Sequence, residues 1–402
     1  MKNRTSVLIG AALLMATSAV GPGFLTQSAV FTATYLKSLA IVIVCVIAMD
    51  MITQYNVWSV VGVSGMRAQD IANKVFPGLG YVLAALVAFG GLVFNIGNVG
   101  GISLGLYTLL GIPTKIGCLL GGAFAICIFL SKHAHAGMDK LAQILGCLIV
   151  IVTAYVAIST KPPVGDVVLH IFQPEDPGSL ILPMITILGG SCGGYISFAG
   201  AHRLLDADIK GYENLNQIRK SVLLGTSVSG TVRILMFLAT LGICLAGGAA
   251  ASDTIINADN PAAEVFFMSL GQLGYKMFGL VLLCASMTSV IGAAYTSVSF
   301  LKTLSRGIAK YEKYVIIGFI ATATAIMAIF GNAAKLLVAA GAVNGLILPV
   351  SLAVILAAAH NKSIVGDQYR HNKVLTCLGI FIVVLTAFAG IRSLSNLAQL
   401  FA

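Results

Sequence analysis

From residue 6 to residue 397 the chain is an almost unbroken succession of apolar runs, each long enough to cross a lipid bilayer and separated by short polar stretches. A spanning helix needs ~20 mostly apolar residues, because the hydrocarbon layer holds no water to satisfy an open backbone. Eleven spans fit, at 6–36, 39–63, 79–108, 113–131, 138–159, 179–202, 221–247, 273–301, 314–331, 335–359 and 374–397. With 58% hydrophobic and 9% charged residues, no stretch remains for a water-soluble domain of useful size. The chain is expected to be an all-α polytopic membrane protein with the bilayer as its main partner. That excludes a receptor with a large ectodomain, a membrane-anchored enzyme and a nucleic-acid binder with a basic folded face.

The net charge of +10 is then a topology signal. With a cytoplasmic N-terminus, 17 of the 24 basic residues fall on the cytoplasmic side, among them Arg67, Lys132, Lys140, Arg203, Arg219 and Lys373. Only Lys37, Lys115, Lys161, Lys276, Lys335 and Arg392 fall on the other side, and Arg233 is left inside a span. The positive-inside rule therefore places the N-terminus in the cytoplasm and the C-terminus outside, in a cell (plasma) membrane. The start, with Lys2 and Arg4 before an apolar run, mimics a signal peptide, but the apolar character runs on to Leu36. The eight cysteines are scattered singly with no CxxC pair and read as small buried hydrophobes.

Two spans are interrupted. The first carries Gly21-Pro22-Gly23 near its middle, and the sixth carries Gly189-Gly190-Ser191-Cys192-Gly193-Gly194-Tyr195. Proline removes a backbone donor and glycine relaxes φ, so both helices should unwind there, with half-helices restarting after Gly23 and after Gly194. Open backbone at membrane depth is tolerated only inside protein or along a watery cavity. Breaks at the starts of two five-helix halves, 1–160 and 179–360, point to an inverted-repeat transporter with its site at the midplane. Residues 161–178 form an external loop between the halves, and 361–402 hold the eleventh helix and the C-terminus.

The chain resembles the Nramp family of divalent-metal transporters over nearly its whole length. The likeness is carried by Gln54 with VGVSGMRAQDIANKVF after span two, ISLGLYTLLGIP closing span three, the glycine-rich centre of span six, FGLVLLCASMTSVIGAAYTS in span eight and AVNGLILPVSL in span ten. The resemblance implies the ten-helix inverted-repeat fold shared with amino-acid transporters, plus an eleventh helix here, and ion-coupled transport by alternating access. It also exposes departures. The family's DPGN motif falls on Gly21-Pro22-Gly23-Phe24, so its metal-binding aspartate is Gly21 and its asparagine Phe24. Its Met-Pro-His falls on Gly193-Gly194-Tyr195, and two acidic residues of its proton pathway fall on Asn95 and Asn98.

Without the carboxylate and the thioether, no metal ligands are expected at this site. A dication would have to shed water for backbone carbonyls alone, whereas half-helices beginning at the cavity aim free N–H groups and positive dipole ends at a negative group. The expected substrate-binding residues are Gly21, Pro22, Gly23, Phe24, Cys192, Gly193, Gly194, Tyr195, Asn95 and Asn98, with Phe24 and Tyr195 packing an organic body. The substrate they favour is a small organic anion or zwitterion resembling an amino acid, coupled to Na⁺ or H⁺, and no cofactor is expected. One alternative is the divalent metal that the resemblance implies (Mn²⁺, Fe²⁺ or a partly hydrated Mg²⁺); a second is a transport-dead sensor. No nucleophile elbow, HExxH, CxxC or P-loop suggests an enzyme.

Asp50 and Arg233 lie near the centres of spans two and seven, where a charge is expensive, and are expected to form a structural ion pair or a coupling site. His202-Arg203 reads as a cationic complement to a helix C-terminus. Asp166, Glu175, Asp176, Asp253 and Asp259 read as solvated surface charge.

Overall fold

The computed structural model describes residues 2–131, 144, 147–148, 150–302 and 304–399. Lys132, Lys140, the opening of the fifth expected span at 138–143 and residue 402 lie outside the described residues. The described residues form helices and connections with no strand. Eight helical stretches among them are long and apolar enough to cross a membrane, with shorter apolar helices beside them.

The first expected span is two helices, α1 (Lys2–Ala19) and α2 (Pro22–Tyr35). Then come α3 (Leu39–Ser64), the short amphipathic α4 (Ala68–Val75), α5 (Leu79–Leu110), α6 (Thr114–Leu130) and α7, described over Val150–Ser159. A short α8 (Val164–Phe172) lies in the loop between the halves. The sixth span is again split, into α9 (Ile181–Cys192) and α10 (Ile196–Asp206). The chain continues through α11 (Leu215–Asn257), α12 (Pro261–Leu301), α13 (Arg306–Lys310), α14 (Glu312–Phe330), α15 (Ala333–Ala359), α16 (Lys362–Val365) and α17 (Lys373–Gln399).

Helix ends follow local chemistry. Gly65, Gly111 and Gly331 take left-handed φ to stop α3, α5 and α14, while Asn260 and Asn332 cap α12 and α15 through their side-chain oxygens. Helix α11 runs ten residues past the expected span end at 247, and α12 begins twelve residues before 273. The kinks fall where the expected spans stop, at Gly248 (φ 64°) and Gly271 (φ 62°), so the extra turns fold away from the spanning axes.

Small residues set the interhelical spacing at the centre. Helix α5 lies against α12 so closely that a Cβ on Gly105 would stand 2.9 Å from the Leu283 backbone. Outside the bundle, Phe89, Phe124, Ile329 and Phe381 stand exposed, an apolar surface suited to lipid tails. Of the expected surface charges, Asp166 and Glu175 stand exposed. Lys37 meets Asp166 at 2.9 Å and holds that carboxyl below its usual range, and the Glu175 backbone N–H donates to Ser38 Oγ at 3.2 Å.

Candidate substrate site at the crossing of two broken helices

Helix α1 ends at Ala19, Gly21 is extended (φ −65°, ψ 179°), and α2 begins at once with Pro22 in its first position. The break is therefore two residues wide, Val20 and Gly21, and earlier than expected, because proline is well suited to a first helical turn whose N–H groups lack partners anyway. Gly23 and Phe24 lie inside α2, and their amides have no intrahelical acceptor. The second break runs through Gly193 (φ −78°, ψ 159°) and Gly194 (φ 55°), and α10 restarts at Ile196. Ser197 Oγ donates to the Cys192 carbonyl and bridges this gap. Only glycine fits at 194: its φ is left-handed, and a Cβ there would strike Asn344 Oδ1.

One face of α5 joins the two breaks. Phe94 meets the Tyr195 ring edge-on at 5.6 Å and lies 3.7 Å from where a Cβ on Gly23 would be. One turn further stands Asn98, and at Gly101 the backbone closes on Pro22. All of these side chains are buried.

The polar groups here are neutral amides and hydroxyls with unmet capacity. Both amide atoms of Asn95, Nδ2 of Asn98, Oε1 of Gln27, Oδ1 of Asn344 and Oγ of Ser286 are buried without a hydrogen-bond partner among the described residues. Each such group costs ~1–3 kcal/mol if it stays unpaired. Neither of Asn95's amide atoms bonds a neighbouring helix among the described residues. Gln27, Ser286 and Asn344 escaped the sequence reading, although each is a polar side chain inside an apolar span. Gln27 Nε2 donates to Leu337 O at 2.9 Å, and Asn344 Nδ2 donates to Gly90 O at 3.0 Å, so each amide presents its oxygen as the free end.

Asp50 and Arg233 form a buried ion pair, Nη1 to Oδ2 at 2.7 Å, with both side chains 0% exposed. The pair lies beside both breaks. The Phe24 ring sits 5.7 Å from the Arg233 guanidinium carbon, the Cys192 side chain lies near the Asp50 carboxylate, and Asp50 Oδ1 has no hydrogen-bond partner among the described residues. Among the described residues no three His, Cys, Asp or Glu side chains gather in a way that could hold a metal ion.

A cavity of about 620 Å³ leads to the crossing between α1, α10 and α12. Thr17, Ser18 and Ser289 line its inner part, and the Ser289 hydroxyl lies 3.6 Å from the Cβ position of Gly21. Arg67, Arg203 and Asp206 line it as well, with Arg67 bonded to Asp206 at 2.5 Å. His202, also on this wall, is not the helix-end cation expected from sequence. Its ring packs in a mutual cluster with the rings of Phe198 and Phe300, and Nε2 accepts the Ala68 N–H at 3.2 Å, which requires the neutral form.

The sequence model of the family described as natural resistance-associated macrophage protein-like (Nramp) matches residues 12–396. An uncharacterized membrane protein of Bacillus subtilis, YcsG, is 50% identical over 396 residues, covering 98% of this chain and 96% of its own length. An uncharacterized membrane protein of Haemophilus influenzae is 47% identical over 387 residues, covering 96% and 95%. Among solved structures, a variant of the Eremococcus coleocola manganese transporter superposes with a TM-score of 0.76 at 16% identity, covering 97% of this chain and 87% of that one. The same transporter bound to an aromatic bis-isothiourea compound gives 0.73 at 16% identity, covering 98% and 87%.

Proposed function

The chain belongs to the Nramp family of transporters, and from that premise we propose that it carries a small organic anion or zwitterion, an amino-acid-like carboxylate, in place of a transition metal. It does so as a secondary transporter by alternating access, coupled to Na⁺ or H⁺. The observation that carries the reading is the absence of any His, Cys, Asp or Glu cluster among the described residues, at a crossing whose α2 N-terminus presents free amides. A bare dication at this depth would have backbone carbonyls, neutral amides, the Cys192 thiol and a single carboxylate, Asp50, whose charge Arg233 already offsets, and shedding its water would go largely uncompensated. A carboxylate would meet free N–H groups and a helix dipole of matching sign, while the amide oxygens of Gln27, Asn95 and Asn344 suit a nearby N–H group of the same solute.

The cavity supports the same sign. Arg67 and Arg203 with Asp206 leave one positive charge in excess along its wall, which would attract an anion and repel a dication. With the N-terminus in the cytoplasm, as the basic split suggests, this cavity opens inward. A divalent metal remains the second reading, favoured by the likeness to manganese transporters, and a hydrated Mg²⁺ needs fewest direct ligands.

Proteoliposomes test the choice. Mn²⁺ and Fe²⁺ should not enter above empty-vesicle levels, and L-alanine or N-acetyl-L-alanine should accumulate when a Na⁺ or H⁺ gradient is imposed. Saturable Mn²⁺ uptake abolished by altering Tyr195 would establish the metal reading instead.

A further inference from the structure

Arg233 holds one of its hydrogen-bonding edges open. A guanidinium carries five N–H donors in a fixed planar fork. In this fully buried side chain Nη1 is bonded to Asp50 Oδ2 at 2.7 Å, whereas Nε and Nη2 have no partner among the described residues. A pair that served only to neutralise charge would be expected to use the fork bidentately, since that geometry is the stronger one. Here Asp50 takes a single nitrogen through Oδ2, and its other oxygen, Oδ1, has no hydrogen-bond partner among the described residues either.

Nε and Nη2 lie on one edge of the guanidinium, spaced to match the two oxygens of a carboxylate. The guanidinium is also beside the crossing, since it lies over the ring of Phe24, three residues along α2 from Gly21, and the Ser289 hydroxyl that lines the cavity is 3.6 Å from the Cβ position of Gly21. We propose that Arg233 is the specificity-determining residue of the site, its Nε and Nη2 receiving the carboxylate of the transported solute. The proposal rests on the reading that the substrate is an organic anion or zwitterion. Asp50 fixes the guanidinium through the opposite side and offsets its charge while the site is empty. The Phe24 ring covers the guanidinium, so a bound solute displaces it.

The same arrangement accounts for selection against metals. A guanidinium tethered at the crossing repels a dication entering from the cavity, which neutral amides alone would not do. The class of ligand also narrows: a carboxylate for Arg233, with an N–H donor near it for the free oxygens of Gln27, Asn95 and Asn344. An amino acid or an N-acyl derivative of one meets both demands.

Matched acids and amides separate the outcomes. Purified full-length protein is titrated with L-alanine, L-alaninamide, N-acetyl-L-alanine, N-acetyl-L-alaninamide and MnCl₂, and thermal stabilisation is read as an apparent affinity. The wild type should bind the acids in preference to their amides. The neutral double change Asp50→Asn with Arg233→Gln should remove that preference, a loss of about ten- to a hundredfold for a charge-assisted bond. If the double variant does not yield folded protein, Arg233→Lys carries the comparison, since it keeps the charge and loses the fork; the acid preference should drop while the unliganded melting temperature stays close to wild type. Acids that bind wild type and both variants alike would overturn this assignment and leave the proposed function standing. Wild type that binds no acid, or binds Mn²⁺ instead, would overturn both.

Discussion

Helix α3 carries two buried polar groups of opposite character. At its centre Asp50 meets Arg233, whose Nε and Nη2 are unpartnered, next to a crossing lined with further unpaired amides. One to two turns on, Asn56 Nδ2 donates to Ile52 O at 2.8 Å, its Oδ1 accepts from His371 Nε2 at 2.8 Å, and His371 Nδ1 meets the Tyr369 hydroxyl at 2.6 Å. There too Arg219 donates to Ser59 Oγ at 3.3 Å and lies over the Tyr55 ring. The second group is a closed network tying α3 to the start of α11 and to the segment leading into α17. The difference separates two uses of buried polarity. Groups that satisfy one another hold helices in register, and groups left open leave room for something that arrives and departs.

The largest expected effect lies at the ion pair. Changing Asp50→Asn or Arg233→Gln alone leaves one buried charge uncompensated, a loss of about 3–5 kcal/mol in folding stability. Melting temperatures in detergent should fall steeply for each single change and recover in large part for the double. A double variant no better than the worse single would mean that the two residues serve different partners.

Next comes the break itself, through two glycines that sequence alone treats alike. Gly194→Ala meets both a left-handed φ and the Asn344 oxygen, and should sharply reduce folded protein. Gly23→Ala puts its Cβ no closer than 3.7 Å to any neighbour, so it should fold normally and lose substrate affinity by intruding on the free amides of α2. Size-exclusion yield and ligand-induced stabilisation read the two effects separately. Equal loss of folded protein in both would reduce the breaks to packing features.

The apolar helices of the described residues and the two interruptions were legible because each follows from a local rule: the length of an apolar run, and the conformational freedom of proline and glycine. The ion pair was legible as chemistry, since a lone charge inside a span demands a partner, but not as a place. That it abuts both breaks depends on how α2, α3, α9 and α11 pack, and no spacing along the chain states that. Gln27, Ser286 and Asn344 were hidden for a related reason, since a single polar side chain in a membrane helix looks the same whether it packs or waits. His202 was misread because its neutral state is set, beside Phe198 one turn back on the same helix, by Phe300 and the Ala68 amide on other elements.

The closed network should yield smaller effects and none on binding. Asn56→Ala removes the acceptor for a buried imidazole and should cost about 1–3 kcal/mol in stability with substrate affinity unchanged. The slightest effect is in pH. Burial, with His360 and Arg219 nearby, lowers His371 to about 4, so the folded protein holds it neutral while the unfolded chain protonates near the ordinary ~6.5. Its contribution is complete above that value and is lost as pH falls towards 4. Melting temperatures between pH 7.5 and 4.5 should fall further in wild type than in His371→Gln, and parallel curves would place the pH sensitivity elsewhere.

The central claim is that the open cluster takes a carboxylate rather than manganese, and equilibrium dialysis of the purified protein against labelled ligand addresses it most directly. With ⁵⁴Mn²⁺ and ¹⁴C-labelled L-alanine or N-acetyl-L-alanine in separate cells, the account predicts retained carboxylate, displaced by excess unlabelled acid but not by its amide, and no retained manganese above a protein-free cell. Retention of manganese at one site per chain, with no retention of either acid, would contradict it.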